Sequence, residues 1–263
     1  MIAIIFSIIS IAFSKGYSQF SYTFFTANDT AGAGKSGIFF QIVGTITLLA
    51  TAVIITAPAA TAIMIVEYTI KNKKGIRALQ TALHLLNGTP SILFGIIGFI
   101  FFVKILGLQK SWLSGGCILA IMILPTVTIA MITRLRTIPK DYVATARSLG
   151  LTEDALILRV ILPYTKGGLL TGLVMGIARA AGETAPIMFT AVVFFGATWP
   201  KGIHDSPVLA LPYHIFNLAQ DMTGADAIPK AWATAATLLL LVFAISIIAA
   251  PIRAKSHEEA NQG

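Results

Sequence analysis

Long windows of the chain are almost wholly apolar, and polar residues gather between them. A helix needs roughly 20 apolar residues to cross a bilayer core, and windows of that kind fall near 38–66, 84–106, 112–133, 167–195 and 230–250. The opening stretch, MIAIIFSIISIAF, is apolar for thirteen residues and lacks the basic flank of a signal peptide, so it reads as the outer part of a first span, with Met1 not necessarily the natural start. The pattern predicts an all-α fold, a polytopic transmembrane helical bundle of about six spans, in a single domain over residues 1–263.

Composition agrees with a membrane solvent. Hydrophobic residues make up 56% and charged residues 11%, against roughly 45–50% and about 25% in an ordinary soluble domain. The net charge of +8 raises the question of nucleic acid, and its distribution answers it. With the amino terminus inside, twelve of the nineteen Lys and Arg fall on inner segments: 71–77, 134–166 and 253–255. Six fall on outer segments, and Arg179 lies within a span. This is the positive-inside pattern of a membrane protein. Cys117 is the single cysteine, so an intrachain disulfide or a cysteine-rich metal site is ruled out.

Two motifs mislead. GAGKS, Gly32 to Ser36, resembles a phosphate-binding loop, but the position of its first glycine is Asp29 and no buried strand precedes it. A flexible outer loop is the better reading. His84, His204, His214 and His257 lack metal-ligand spacing, and no G-x-S-x-G nucleophile elbow is present.

Arg134 to Pro163, the longest inner loop, reads as two short helices. Pro139 suits a first helical turn, and Tyr142, Val143, Ala146 and Leu149 follow at one-face spacing, opposite Lys140 and Arg147. Gly150 can take the left-handed conformation that ends a helix, Thr152 can cap the next, Glu153 and Asp154 favour its positive end, and Pro163 starts the fifth span. The segment is either an amphipathic surface connector or a docking element for a cytoplasmic partner.

Charge inside a span is the other signal. RAAGETAP, Arg179 to Pro186, sits within the fifth apolar window, where a charge costs roughly 2.5–3.5 kcal/mol on insertion scales and normally faces protein or a wet cavity. Arg179 and Glu183 are four apart, hence on one face if the helix continues. Either they neutralise each other, or Arg179 gives positive potential to an anion path while Glu183 holds it in place when the path is empty. A guanidinium fork suits an oxyanion. Thr184 either adds a hydroxyl to that path or bonds its own backbone. Gly168, Gly172 and Gly176 repeat every four residues, so that face meets a partner or the chain's own bundle. At NGTPS, Gly88 and Pro90 break the third span, either lining a cavity or simply starting a helix.

ATARSLGLTEDALILRVILP resembles the EAA loop of ABC importer permeases, with Ala144, Thr145 and Ala146 in the first three places, Gly150 as the glycine, and Val160, Leu162 and Pro163 at the end. Ala144 stands where that family has glutamate and Thr145 where it has alanine. NGTPSILFGIIGFIFFV and RAAGETAPIMFTA are similar to segments of the PstA-type permeases of ABC phosphate importers, and the likeness covers most of the chain. The resemblance implies a MetI-like permease fold in the bacterial or archaeal cytoplasmic membrane and phosphate as substrate. It also implies a PstC-like second permease, two PstB-like ATPases that use ATP and Mg, and an extracytoplasmic phosphate-binding protein, with no cofactor on this chain. Coupling then falls to Tyr142, Ala144, Thr145, Ala146, Gly150, Leu162 and Pro163, and the substrate path to Arg179, Glu183 and Thr184. The outer loop 196–229, with Trp199, Asp205, Asp221 and Asp226, is where a binding protein would dock. Three rivals remain: the same architecture carrying sulfate or molybdate, an ion-coupled transporter, which would need internal repeats that are not evident, and a membrane enzyme acting on lipid phosphate.

Overall fold

The structure is a computed structural model that describes residues 2–27, 37–70, 72–193, 196, 199–200, 202–221 and 226–262. The glycine-rich segment 32–36, Lys71 and Lys201 lie outside the described residues. Helices dominate, and one isolated bridge between Val192 and Val208 is the extended pairing among the described residues.

In chain order the helices are α1 (Ile2–Gly16), α2 (Tyr22–Thr26), α3 (Phe39–Thr69), α4 (Lys73–Asn87), α5 (Ser91–Gly98), α6 (Trp112–Leu135), α7 (Lys140–Ser148), α8 (Glu153–Leu156), α9 (Leu162–Ala181), α10 (Ala185–Thr190), α11 (Leu211–Gln220) and α12 (Ala227–Gln262). Phe99–Ile105 after α5 and Ile157–Ile161 after α8 are π-helical, and the second carries α8 directly into α9. Among the described residues, four continuous stretches are long and apolar enough to span: Phe39–Thr69, Trp112–Leu135, Glu153–Ala181 and Ala227–Pro251.

α1 has 15 residues, about 22 Å at 1.5 Å per residue against a core of about 30 Å, in keeping with its reading as part of a span. The break expected at Gly88 and Pro90 is present, and the bounds of the fifth span need correction. The third span is two helices, because Gly88 ends α4 and Pro90, which has no amide hydrogen, adopts φ −57° and ψ 134° before α5. The fifth begins before Pro163, inside a helix already running from Glu153, and stops at Ala181. Proline cannot donate to the carbonyl four residues back, and the turn before Pro163 is π-helical.

The chain forms two compact units. The first comprises Met1–Ala52, Pro90–Leu119 and Ala180–Ala244. Phe24, Ile38, Leu211 and Ala233 form a buried cluster there, flanked by Phe20, Phe25, Ile42 and Leu238. The buried hydroxyl of Thr45 donates to the Gln41 carbonyl at 2.7 Å and accepts the Leu211 amide at 2.9 Å, which gives the start of α11 a partner from α3. α5 packs closely on α10: a methyl group on Gly95 would lie 2.9 Å from the Ala185 carbonyl oxygen. Lys110 reaches the Met188 carbonyl of α10 at 3.1 Å.

The second unit comprises Val53–Thr89, Ala120–Arg179 and Ile245–Gly263. Ala60, Met64, Leu83, Val127, Met131, Ile132 and Ile161 form its core, with Leu79, Val143 and Leu162 packed on it. Gly168, Gly172 and Gly176 face α6, so the small-residue stripe serves the chain's own bundle. A methyl on Gly172 would sit 2.8 Å from the Val127 Cα, and one on Gly168 would sit 2.9 Å from the Ala130 carbonyl oxygen. Small residues let helices approach where the solvent is as apolar as the side chains, so that van der Waals contact has to hold them together.

At one end of this unit Glu67, 7% exposed, ties three segments together. Its Oε1 accepts from Arg136 Nη2 at 2.8 Å and from Gln80 Nε2 at 2.9 Å, joining α3, α4 and the link that leaves α6.

Replacing Gly172 with leucine is expected to destabilise the chain by about 1–3 kcal/mol through overpacking against α6. The check is the thermal midpoint of the purified protein in detergent, compared with Met175→Leu on the exposed face of α9. Equal midpoints would mean that α6 and α9 do not meet along this stripe.

Candidate functional site

Arg179 occupies the last turn of α9, and its neighbourhood is set by the break in α4. Its Nη1 donates to Asn87 Oδ1 at 2.8 Å, and Thr126 of α6 donates to the same oxygen at 2.9 Å. One amide carbonyl thus joins the end of α4, the middle of α6 and the end of α9. A neutral acceptor fixes the position of a guanidinium without itself cancelling the charge.

Glu183 and Thr184 do not continue α9. Gly182, Glu183 and Thr184 form an unwound link in which the Glu183 amide bonds the Ala180 carbonyl at 3.2 Å, and α10 begins at Ala185. Pro186 has no hydrogen to offer the Gly182 carbonyl, and Gly182 weakens the helix further. The four-residue helical spacing expected for Arg179 and Glu183 therefore does not apply. The Thr184 hydroxyl makes no capping bond to α10, while its carbonyl accepts the Met188 amide at 3.0 Å.

A cavity of about 520 Å³ opens beside this site, within the second unit. Asn87, Thr126 and Met175 line it, as do Thr133, Arg134 and Thr137. Threonine hydroxyls here are already engaged: Thr133 donates to the Ile129 carbonyl and Thr137 to that of Arg134, each at 2.8 Å. The surface they leave is largely their methyl groups, so the walls are mostly apolar.

The inner loop forms two helices joined by a tight turn. Gly150 has φ +81°, the left-handed conformation that favours glycine. The Thr152 hydroxyl caps α8 by accepting the Ala155 amide at 3.3 Å. Across the turn Arg147 grips Glu153 with both arms of its fork, Nε to Oε1 at 2.9 Å and Nη2 to Oε2 at 3.3 Å. Glu153 raises the Arg147 pKa above its ordinary value by accepting those bonds and by its charge.

The apolar face divides differently from the simple helical spacing. Val143 packs on the core of the second unit, whereas Tyr142 and Leu149 point outward, 42% and 76% exposed. Ala144, Thr145 and Gly150 are exposed, Ala146 is half-buried, Leu162 packs on the core and Pro163 is exposed. α7 is therefore held by its own bundle on one side and presents Tyr142, Thr145 and Leu149 on the other.

Asn87 and the Arg147–Glu153 pair escaped the sequence reading. A polar residue directly before a glycine and proline break in an apolar window was the available signal for Asn87. For the pair, the signal was opposite charge on either side of a glycine turn.

Comparison with known proteins agrees with this helical fold. A probable phosphate transport system permease protein PstA of Methanocaldococcus jannaschii is 33% identical over 224 residues, covering 85% of this chain and 77% of that one. The phosphate transport system permease protein PstA of Haemophilus influenzae is 27% identical over 237 residues, covering 89% and 82%. Among solved structures, the inward-facing MetNI methionine ABC transporter matches with a TM-score of 0.62 at 15% identity, covering 83% of this chain and 97% of that chain. A bacterial alginate ABC transporter in complex with its periplasmic protein matches at 0.61 and 14%, covering 92% and 84%. These structures share the fold, that of a MetI-like multi-pass permease. The family model described as "binding-protein-dependent transport system inner membrane component" matches residues 59–255, and with that extent of match the chain belongs to this family.

Proposed function

We propose that this chain is the PstA-type permease subunit of an ATP-driven importer of inorganic phosphate, forming part of the translocation path in the bacterial or archaeal cytoplasmic membrane. The observation that carries the reading is the seat of Arg179, held by a neutral amide beside a cavity in a chain whose relatives are named phosphate permeases. A fixed guanidinium attracts an oxyanion, and a site with few other donors releases it, as conduction requires. Glu183 and Thr184, which follow on the unwound link, are the other residues of the path in this reading.

Hydrolysis of ATP, with Mg, belongs to two PstB-like partner subunits that dock on Tyr142, Ala144, Thr145, Ala146 and Gly150. Leu162 and Pro163 pass the motion of that docking site into α9. A PstC-like permease completes the path, and an extracytoplasmic phosphate-binding protein delivers the substrate. The exposed Tyr142 and Leu149 support a docking role for the inner loop.

Uptake of labelled phosphate by proteoliposomes holding the whole complex tests the path. Arg179→Gln is expected to lower ATP-dependent uptake about tenfold or more, as loss of a charged hydrogen-bonding group implies, with the ATPases still bound. Asn87→Ala, which leaves the charge but frees its position, is expected to cost roughly fivefold. Normal uptake by Arg179→Gln would remove Arg179 from the path. Excess sulfate or molybdate competing as well as phosphate would replace the substrate.

Leu149→Asp is expected to weaken ATPase docking about tenfold or more in a pull-down of the complex, since a charge replaces an apolar contact. Undiminished docking would place the ATPase contact elsewhere.

A further inference from the structure

Arg134 lies at the end of α6, where the inner loop begins. Its Nε and Nη2, the two nitrogens of the side-on fork, are buried and find no hydrogen-bond partner among the described residues. The face of the guanidinium stacks on Tyr164, 4.8 Å from the ring centroid, which fixes its plane. Glu67 and Glu153 are engaged by other arginines, Arg136 and Arg147.

A charged fork in a dry place is costly without an acceptor, and in a folded protein such a group calls for a specific explanation. Its location supplies one. Arg134 lines the same cavity as Asn87, the residue that seats Arg179. Gly168 of α9 lies against the Arg134 Cβ, and Arg179 is eleven residues further along, about 16 Å at 1.5 Å per residue. The cavity thus reaches from Arg134 to Asn87, the residue that Arg179 bonds, with Arg134 at the inner end by the positive-inside rule. The largely apolar walls do not compete for an anion, and low-dielectric walls focus the field of a single cation.

We propose that Arg134 is a second oxyanion contact, on the cytoplasmic side of Arg179, which receives the transported anion through its Nε and Nη2 fork before release. The inference rests on the importer reading and assigns the inner part of its path. Bringing the fork into reach takes a small movement of the guanidinium off its buried position. Tyr164 stands at the start of α9, so displacement of α9 by the inner loop is the motion that can supply it.

The test uses the assembled complex in proteoliposomes with Cys117→Ser and a reporter thiol at Thr133, which lines the cavity beside Arg134. Labelling from the cytoplasmic face is timed with an anionic and a cationic methanethiosulfonate, with and without inorganic phosphate. With Arg134 present, the anionic reagent is expected to be favoured about tenfold more than in Arg134→Gln, and phosphate is expected to slow it. Arg134→Lys keeps the charge and the stem, and is expected to keep the reagent preference while losing protection by phosphate, because the bidentate fork is gone.

Reagent preference unaffected by Arg134→Gln, or phosphate protection equal in all three forms, would overturn the proposal even where phosphate uptake is normal. If the complex fails to take up phosphate but sulfate protects the thiol in an Arg134-dependent way, the oxyanion contact stands and phosphate as the substrate falls.

Discussion

Close contact between α6 and α9 is the constraint on which the second unit depends. The three glycines of α9 let the backbone of α6 approach to a distance that any larger side chain would prevent. Lipid offers no hydrophobic drive toward such a contact, so it is held by dispersion between well-fitted surfaces. From it follow the placement of Arg134 against Gly168, the position of Thr126 for its bond to Asn87, and the cavity between them. The end of α9, and so the base from which Arg179 extends, is fixed by the same contact.

Interrupted helices are the second theme. In hydrocarbon every backbone group needs an internal partner, and broken helices survive where protein or a cavity surrounds them. Here the breaks at Gly88–Pro90 and Gly182–Thr184 each lie next to a residue of the proposed path, Asn87 in one case and Arg179 in the other. Proline favours both breaks through its missing hydrogen, and the neighbouring glycines at 88 and 182 add to it, whereas Pro58, Pro125 and Pro163 are carried within continuous helices. The polar side chains at these points then use the room that the unwound backbone leaves.

Apolar windows made the spans legible because hydrocarbon imposes a length and a composition that few sequences meet by accident. The inner loop was legible for a different reason: Gly150 and Thr152 act through local backbone geometry, which four or five residues determine. The break at Gly88 and Pro90 was legible too, but the bounds of the fifth window were not, because hydropathy is blind to direction: Pro186 leaves that window as apolar as before while the helix ends within it. The spacing between Arg179 and Glu183 failed for that reason. Asn87 was invisible as a partner of Arg179 because its bonds reach 92 residues to Arg179 and 39 to Thr126, and only the folded chain brings these together.

The fork between Arg147 and Glu153 spans the inner turn with both side chains more than half exposed. Water competes for both groups, so the pair adds little to the stability of the turn, whose shape rests on Gly150 and the Thr152 cap. What it does offer is exchange. An arriving protein surface that presents either an acidic or a basic group can take one member of the pair and leave the other to a second contact, at almost no net cost in ion pairing. A weak internal latch of this kind keeps two opposite charges ordered and available, so that the loop can be complementary to a partner of mixed charge without carrying an unpaired charge when it stands alone.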